Sequence, residues 1–189
     1  MTGAANSRAR RSVAVIALAL AACAAVTVAL VVVGRVHTPN VTASIFGQTY
    51  IAAVSLKSLL ATVVLGLAAA QVLLALWMYR KLPWAPKPPR GVAVAHRVNG
   101  FLLIAVTLPI AVHCLMAYGV QFTDARIVVH SLAGCFLYGA FAAKVILVQS
   151  KRLPGWVLPV TGGTLAVTVV AIWYTSALWY YNGFQIPGF

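Results

Sequence analysis

The sequence predicts an all-α integral membrane protein, a single domain built as a five-transmembrane-helix bundle, and three observations carry the prediction. The 189 residues are 62% hydrophobic and only 8% charged, against about 25% charged in an ordinary soluble domain. Five apolar runs, at about 12–34, 57–79, 98–120, 126–149 and 156–180, match the ~20 residues that cross a hydrocarbon core. Mean hydropathy is accordingly high, at +0.96. Finally, the charges are sorted: one acidic residue, Asp124, stands against 14 Lys and Arg, a formal +13. On a soluble protein that surplus would point to nucleic acid. Here the basic residues gather at the ends of apolar runs, which is the positive-inside pattern, and nucleic acid is excluded as a partner.

Taken in order, residues 1–11 are polar and basic, with Arg8, Arg10 and Arg11, and the run from 12 to Gly34 is unbroken. Leu20-Ala21-Ala22-Cys23 matches a lipoprotein cleavage box, and Arg10-Arg11 is a weak twin-arginine signal. The chain stays apolar beyond Cys23, whereas a mature lipoprotein turns polar, so this segment reads as an uncleaved first span. Residues 35–56 open as a polar loop with His37, Pro39 and Gly47, then drift into apolar sequence. The second span ends at Arg80-Lys81. Residues 81–97, rich in Pro and basic side chains, read as a stiff interfacial loop rather than a helix. Pro109 removes one backbone hydrogen bond from the third span and predicts a bend there. The fourth span follows the polar turn Gln121–Arg126, and the fifth opens near Pro159 and Gly162-Gly163. It closes on Trp173, Tyr174, Trp179, Tyr180 and Tyr181, an aromatic cluster suited to a membrane–water interface. Cys23, Cys114 and Cys135 lie inside apolar runs with no CxxC spacing and read as small buried hydrophobes.

An odd number of spans puts the termini on opposite sides. One side receives Arg8, Arg10, Arg11, Arg80, Lys81, Lys87, Arg90, Arg97, Lys151 and Arg152; the other receives Arg35 and Arg126, with Lys57 at its margin. The N-terminus is therefore expected in the cytoplasm and the C-terminus outside, in a multi-pass protein of the plasma membrane. Richness in Ala, Val and Leu suggests a bacterial inner membrane.

The candidate chemistry lies between His96 and Lys151. Two apolar helices flank the turn near residues 121 and 122, and each carries a histidine, His113 going up and His130 coming down. An antiparallel hairpin places the two at one depth, able to face a common space. An ionisable or metal-binding residue inside a membrane helix is a functional hypothesis by default. Gly134, four residues after His130, shares its face and leaves room for a flat ligand; Gly100, four after His96, reads as ordinary helix packing. Zinc and copper sites want three or four side-chain ligands, whereas haem iron needs one or two and an apolar slot. The expected cofactor is one haem b, ligated by His113 and His130. Lys57 and Arg126, with Arg35, would anchor its propionates by charge-assisted hydrogen bonds.

On His96, His113, His130 and the His-Ser-Leu-x-Gly motif at 130–134, residues 96–150 resemble the small bis-histidine transmembrane b-type cytochromes. These form the ferric-reductase-like and ascorbate-reducible cytochrome b superfamily. The resemblance implies an electron-transfer role and, in its usual form, two stacked haems with histidines about fourteen residues apart on each helix. Fourteen residues from His113 and His130 stand Asn99 and Lys144, not histidines, so a second haem at the inner side is not expected. His96 is about 100° off the face of His113 and reads as an interfacial histidine beside Arg97. Lys144 is read as hydrogen-bonding Asn99, meeting lipid phosphate, or holding a quinone carbonyl; His37 is a further candidate on the outer side.

The expected function is a membrane electron-transfer subunit that exchanges electrons with an extracytoplasmic redox protein and with quinol. An oligomer or a larger redox complex is compatible with it. No nucleotide-binding or flavin motif is present, so the chain is not by itself a complete nicotinamide-dependent reductase. The alternative is a cofactor-free anchor or assembly subunit, or a small transporter handling protons or anions; transporters of that kind usually carry internal repeats, and none is seen.

Overall fold

Five helices are long and apolar enough to span a bilayer. They are α1 (Thr2–Val36), α2 (Tyr50–Met78), α3 (Arg90–Tyr118), α4 (Ala125–Gln149) and α5 (Val157–Trp173). The last continues through a π-helical turn, Tyr174–Leu178, and a final α-turn, Trp179–Tyr181. The computed structural model describes residues 2–150 and 153–189, with side chains of α1 from Arg10 onward. Of the basic residues used for topology, the Arg8 side chain, Lys151 and Arg152 lie outside the described residues.

Hydropathy locates the spans but undershoots three N-termini, since α1 starts at Thr2, α2 at Tyr50 and α3 at Arg90. The segment 81–97 is not a loop throughout: α3 starts at Arg90, directly after Pro88-Pro89, with Pro89 extended at φ −68°, ψ 161°. A helix continues past the apolar core until something stops it, and here the stop is proline, which disfavours helical geometry in the residue before it. Likewise α2 begins at Tyr50 after an extended Thr49, so Lys57 sits about 10 Å inside the helix rather than at its margin. α3 runs continuously through Pro109.

α1 packs along α4, α4 along α5, α5 along α2, and α2 along α3. Contact between α1 and α4 is close because their facing residues are small. A side-chain carbon at Gly139 would collide with the Cys23 carbonyl and the Thr27 hydroxyl, and Ala19 and Ala143 are buried nearby. Close backbone approach of this kind is what holds apolar helices together in lipid. Outward faces are apolar too: Phe101 is 72% exposed and Val167 70%, surface that a bilayer would cover.

The hairpin of α3 and α4 departs from expectation. Though consecutive, the two helices do not pack along each other. Their connection crosses the end of α1: Val120 N–H donates to Gly34 O at 2.9 Å and Arg35 Nη1 to Val120 O at 3.4 Å. α4 is thereby carried to the far flank of α1, while α3 stays on α2. Side chains meet in the middle of the bundle, where Val64, Ala68, Leu103, Leu137 and Val169 form one core cluster from four helices. We call the end with the 37–49 and 119–124 connections the near end, and the opposite one the far end.

At the near end Asp124 caps α4, its carboxylate accepting from Ile127 N–H at 3.0 Å. Asp124→Ala should cost about 1 kcal/mol, measured as a lower midpoint in a detergent-unfolding titration. An unchanged midpoint would show that the cap contributes nothing.

Candidate functional site

The near end gathers two groups of polar side chains. His113 is buried in α3, 5% exposed. Its Nε2 lies 3.0 Å from the carbonyl of Ala43, in the 37–49 loop. A carbonyl only accepts, so Nε2 carries the proton and Nδ1 the lone pair. That Nδ1 is buried and has no partner. The loop that supplies Ala43 is itself braced: Asn40 Oδ1 accepts from Thr42 N–H and hydroxyl, and Ile45 pairs with Gln48 in both directions at 2.9 Å. Tyr118 meets the His113 ring edge-on at 6.0 Å, and Lys57 Nζ lies 4.4 Å over Tyr118 and 3.8 Å from Cys114 Sγ.

His130 belongs to the second group, on α4. Its Nδ1 is 3.1 Å from the hydroxyl of Thr175, in the π-helical turn. Thr175 is 1% exposed and directs its single proton to the Ala171 carbonyl at 2.7 Å. It must therefore accept from His130, which puts the proton on Nδ1 and leaves the lone pair on Nε2. His130 also has a hydrogen bond with the backbone of Ile172, one turn before Thr175. Thr175 also accepts, through its carbonyl, from Arg126 Nη1 at 2.9 Å, and the guanidinium lies 3.9 Å over Trp179. One residue of a π-turn thus positions both Arg126 and His130, an arrangement frequent at functional sites.

Both imidazoles have one nitrogen held by an oxygen, which is how metal-ligating histidines are oriented, and in His113 the other nitrogen has no partner. Lys57 is close enough to act electrostatically on both rings. Gly134, one turn below His130, opens on space: a side-chain carbon there meets nothing within 4 Å. Among the described residues no three His, Cys, Asp or Glu side chains group as a metal cage.

A separate polar cluster lies toward the far end. Asn99 donates from Nδ2 to Leu67 O at 2.9 Å and to Gln71 Oε1 at 2.7 Å. Gln71 Nε2 then meets His96 Nε2 at 3.0 Å. Gly100 makes room for this, since a side-chain carbon there would stand 2.9 Å from Gln71 Nε2.

Residues 15–188 match a family of unknown function (DUF6529). The chain belongs to that family. No curated protein and no solved structure matches it.

In this DUF6529 chain the residues singled out by sequence fall into three places. His113, Lys57 and Cys114 meet on the α2–α3 side of the near end; His130 and Arg126 meet at Thr175 on the α4–α5 side. His37 is drawn away, its Nε2 at 3.1 Å from the Met116 carbonyl in an exposed clasp. His96 meets Gln71 of α2 through Nε2, and its Nδ1 is buried and unpartnered. Lys144 lies near His96 but makes no hydrogen bond to Asn99, which is spent on α2. Sequence reasoning missed Ala43, Gln71 and Thr175. Gln71 had a signal, as an amide inside an apolar run; Ala43 acts through its backbone and had none. The aromatic cluster mostly holds the chain's end: Tyr174 Oη donates to Pro187 O at 2.7 Å, and Trp179 packs on Phe184 at 4.8 Å. An open cavity of about 820 Å³ lies there, lined by Arg126, Trp179, Asn182 and Ile186 rather than by the histidines.

Proposed function

We propose that this DUF6529 protein is a membrane electron-transfer protein that holds one b-type haem between α3 and α4. The observation that carries this reading is a conjunction. Two imidazoles stand on helices that do not pack along each other, each with one ring nitrogen held by oxygen, and the second nitrogen of His113 is buried without a partner. His113 would ligate through Nδ1 while its Nε2–H stays on Ala43, and His130 through Nε2 while its Nδ1–H stays on Thr175. Bound there, haem would supply reversible one-electron exchange, and two histidine ligands leave no coordination position for oxygen.

The remaining residues bind and orient. Lys57 stands inside a membrane helix with only a thiol and an aromatic ring as partners, and the chain's single carboxylate, Asp124, is occupied as a helix cap. An unpaired positive charge at that depth calls for an anion, and a propionate answers it. Arg126 uses one N–H on Thr175 and keeps others for a second propionate. Open space beside Gly134 suits the edge of a flat ring.

Arg10, Arg11, Arg80, Lys81, Lys87, Arg90 and Arg97 orient the far end toward the cytoplasm of a bacterial inner membrane. The N-terminus is then cytoplasmic, the C-terminus extracytoplasmic, and the histidine pair faces an extracytoplasmic redox partner.

The test is a reduced-minus-oxidised absorption spectrum of protein purified from haem-sufficient bacterial membranes. One low-spin haem per chain is expected; protein that emerges without haem refutes the proposal. Gly134→Leu sharpens it. No neighbour obstructs the new side chain, so helicity is retained while haem content falls at least several-fold. Full haem content in that variant would mean the open space faces lipid instead.

A further inference from the structure

The far-end cluster has a direction that its bonds force. The Leu67 carbonyl can only accept, so Asn99 presents its amide N–H groups to Leu67 O and Gln71 Oε1. With Oε1 committed as acceptor, Gln71 offers its N–H to His96 Nε2. The His96 proton must then lie on Nδ1. That N–H is buried and has no acceptor. Lys144 lies close enough to interact with His96 electrostatically and makes no hydrogen bond among the described residues. The chain's only acidic residue is at the other end of the bundle. The buried His96 N–H therefore lacks an acceptor, and the Lys144 ammonium stands within electrostatic reach of it with no hydrogen-bond partner of its own among the described residues.

Depth and access identify what is missing. His96 lies about 9 Å inside α3 from Arg90, and Lys144 about 7.5 Å inside α4 from Gln149. Both residues belong to helices long and apolar enough to cross a membrane, where an apolar ring bearing carbonyl oxygens is an acceptor the surroundings can offer. Close helix packing flanks α3 on its α2 side. α3 is tied to α1 at the near end through Val120 and Gly34, and it packs along neither α1 nor α4. The Leu103–Leu137 core separates this region from the near-end histidines.

We infer that Gln71, His96, Asn99 and Lys144 form a quinone-headgroup site, in which His96 Nδ1–H and Lys144 Nζ donate to a quinone carbonyl oxygen. Gln71 and Asn99 do not touch the quinone; they are positioning residues that keep the His96 proton on the donating side. The inference names the membrane-borne electron source for the electron-transfer reading and rests on that reading for its role, though not for the binding.

The experiment measures binding of decylubiquinone to the full chain in detergent, with the infrared stretch of a ¹³C-labelled quinone carbonyl as second readout. Wild type should bind and shift the carbonyl band downward. Lys144→Met and His96→Leu should each weaken binding about tenfold or more and reverse part of the shift. Asn99→Leu should reduce the shift by releasing Gln71 and with it the His96 tautomer. Equal binding and an unshifted band across wild type and all three variants would overturn the site. So would displacement of the quinone by phosphatidylglycerol at equal concentration, which would identify a lipid phosphate site instead. The same measurement on His130→Ala, which lacks the near-end ligand, should be unchanged, so failure of the haem proposal and failure of this one are told apart.

Discussion

Replacing either His113 or His130 by alanine is expected to abolish the low-spin haem spectrum, the largest effect any single substitution should have on this chain. Each ring supplies one of the two proposed ligands, and no third imidazole is placed to substitute. His37 is clasped to Met116, and His96 lies about 25 Å along α3 from His113. Circular dichroism should report an intact bundle in both variants, because apolar clusters elsewhere along the helices hold them together. His113→Leu separates the two readings of this residue. Removing a buried nitrogen that lacks a partner relieves about 1–3 kcal/mol of unfavourable desolvation. The same change removes the Nε2–H bond to the Ala43 carbonyl, an opposing cost of similar size, so the haem-free protein should be about as stable as wild type although it no longer binds haem. Thr175→Val should keep the haem but loosen His130, seen as a displaced Soret band and midpoint potential, with Thr175→Ser restoring both. A bis-histidine spectrum that survives either alanine substitution would remove the ligand assignment.

Gly119→Ala should be among the most destabilising substitutions available. Gly119 ends α3 at φ 66°, ψ −162°, a region open in practice only to glycine. Its added carbon would also stand 2.6 Å from the Gly34 carbonyl oxygen, the same oxygen that receives Val120 N–H. Backbone strain of about 1–3 kcal/mol combines with loss of the link between α1 and α3. The 37–49 loop is hung from that link through Asn40 N–H to Met116 O at 2.9 Å, so Ala43 should withdraw from His113 as well. Gly47 is the control: it has φ +79° but nothing within 4 Å of an added carbon. Gly47→Ala should show strain alone, with a much smaller fall in the unfolding midpoint. Equal losses at the two positions would show that the α1–α3 link carries no stability.

The candidate site was legible to unequal degrees. His113, His130, Lys57, Asn99 and Lys144 stood out because ionisable or amide groups are costly in an apolar run, whatever surrounds them. Their partners did not. Thr175 is a small polar residue common in membrane helices, Ala43 contributes only its carbonyl, and Gln71 gains meaning only beside Asn99 and His96. Pairing by depth put Asn99 opposite Lys144 across a hairpin. The structure turns Asn99 toward α2, because α3 lies on α2 and not on α4.

From composition and hydropathy came the number of spans, their approximate places and the segregation of basic residues. A bilayer imposes length and apolarity on each helix independently of its neighbours, so that information is local. Which helices touch was decided only in three dimensions. Lipid and bundle interior are equally apolar, so hydropathy does not say which face of a helix meets which neighbour. Small residues such as Gly139 and Ala19, and a connection crossing the end of α1 at Gly34, set α3 and α4 apart. That separation leaves one ring nitrogen of His113 and one of His96 buried without a partner.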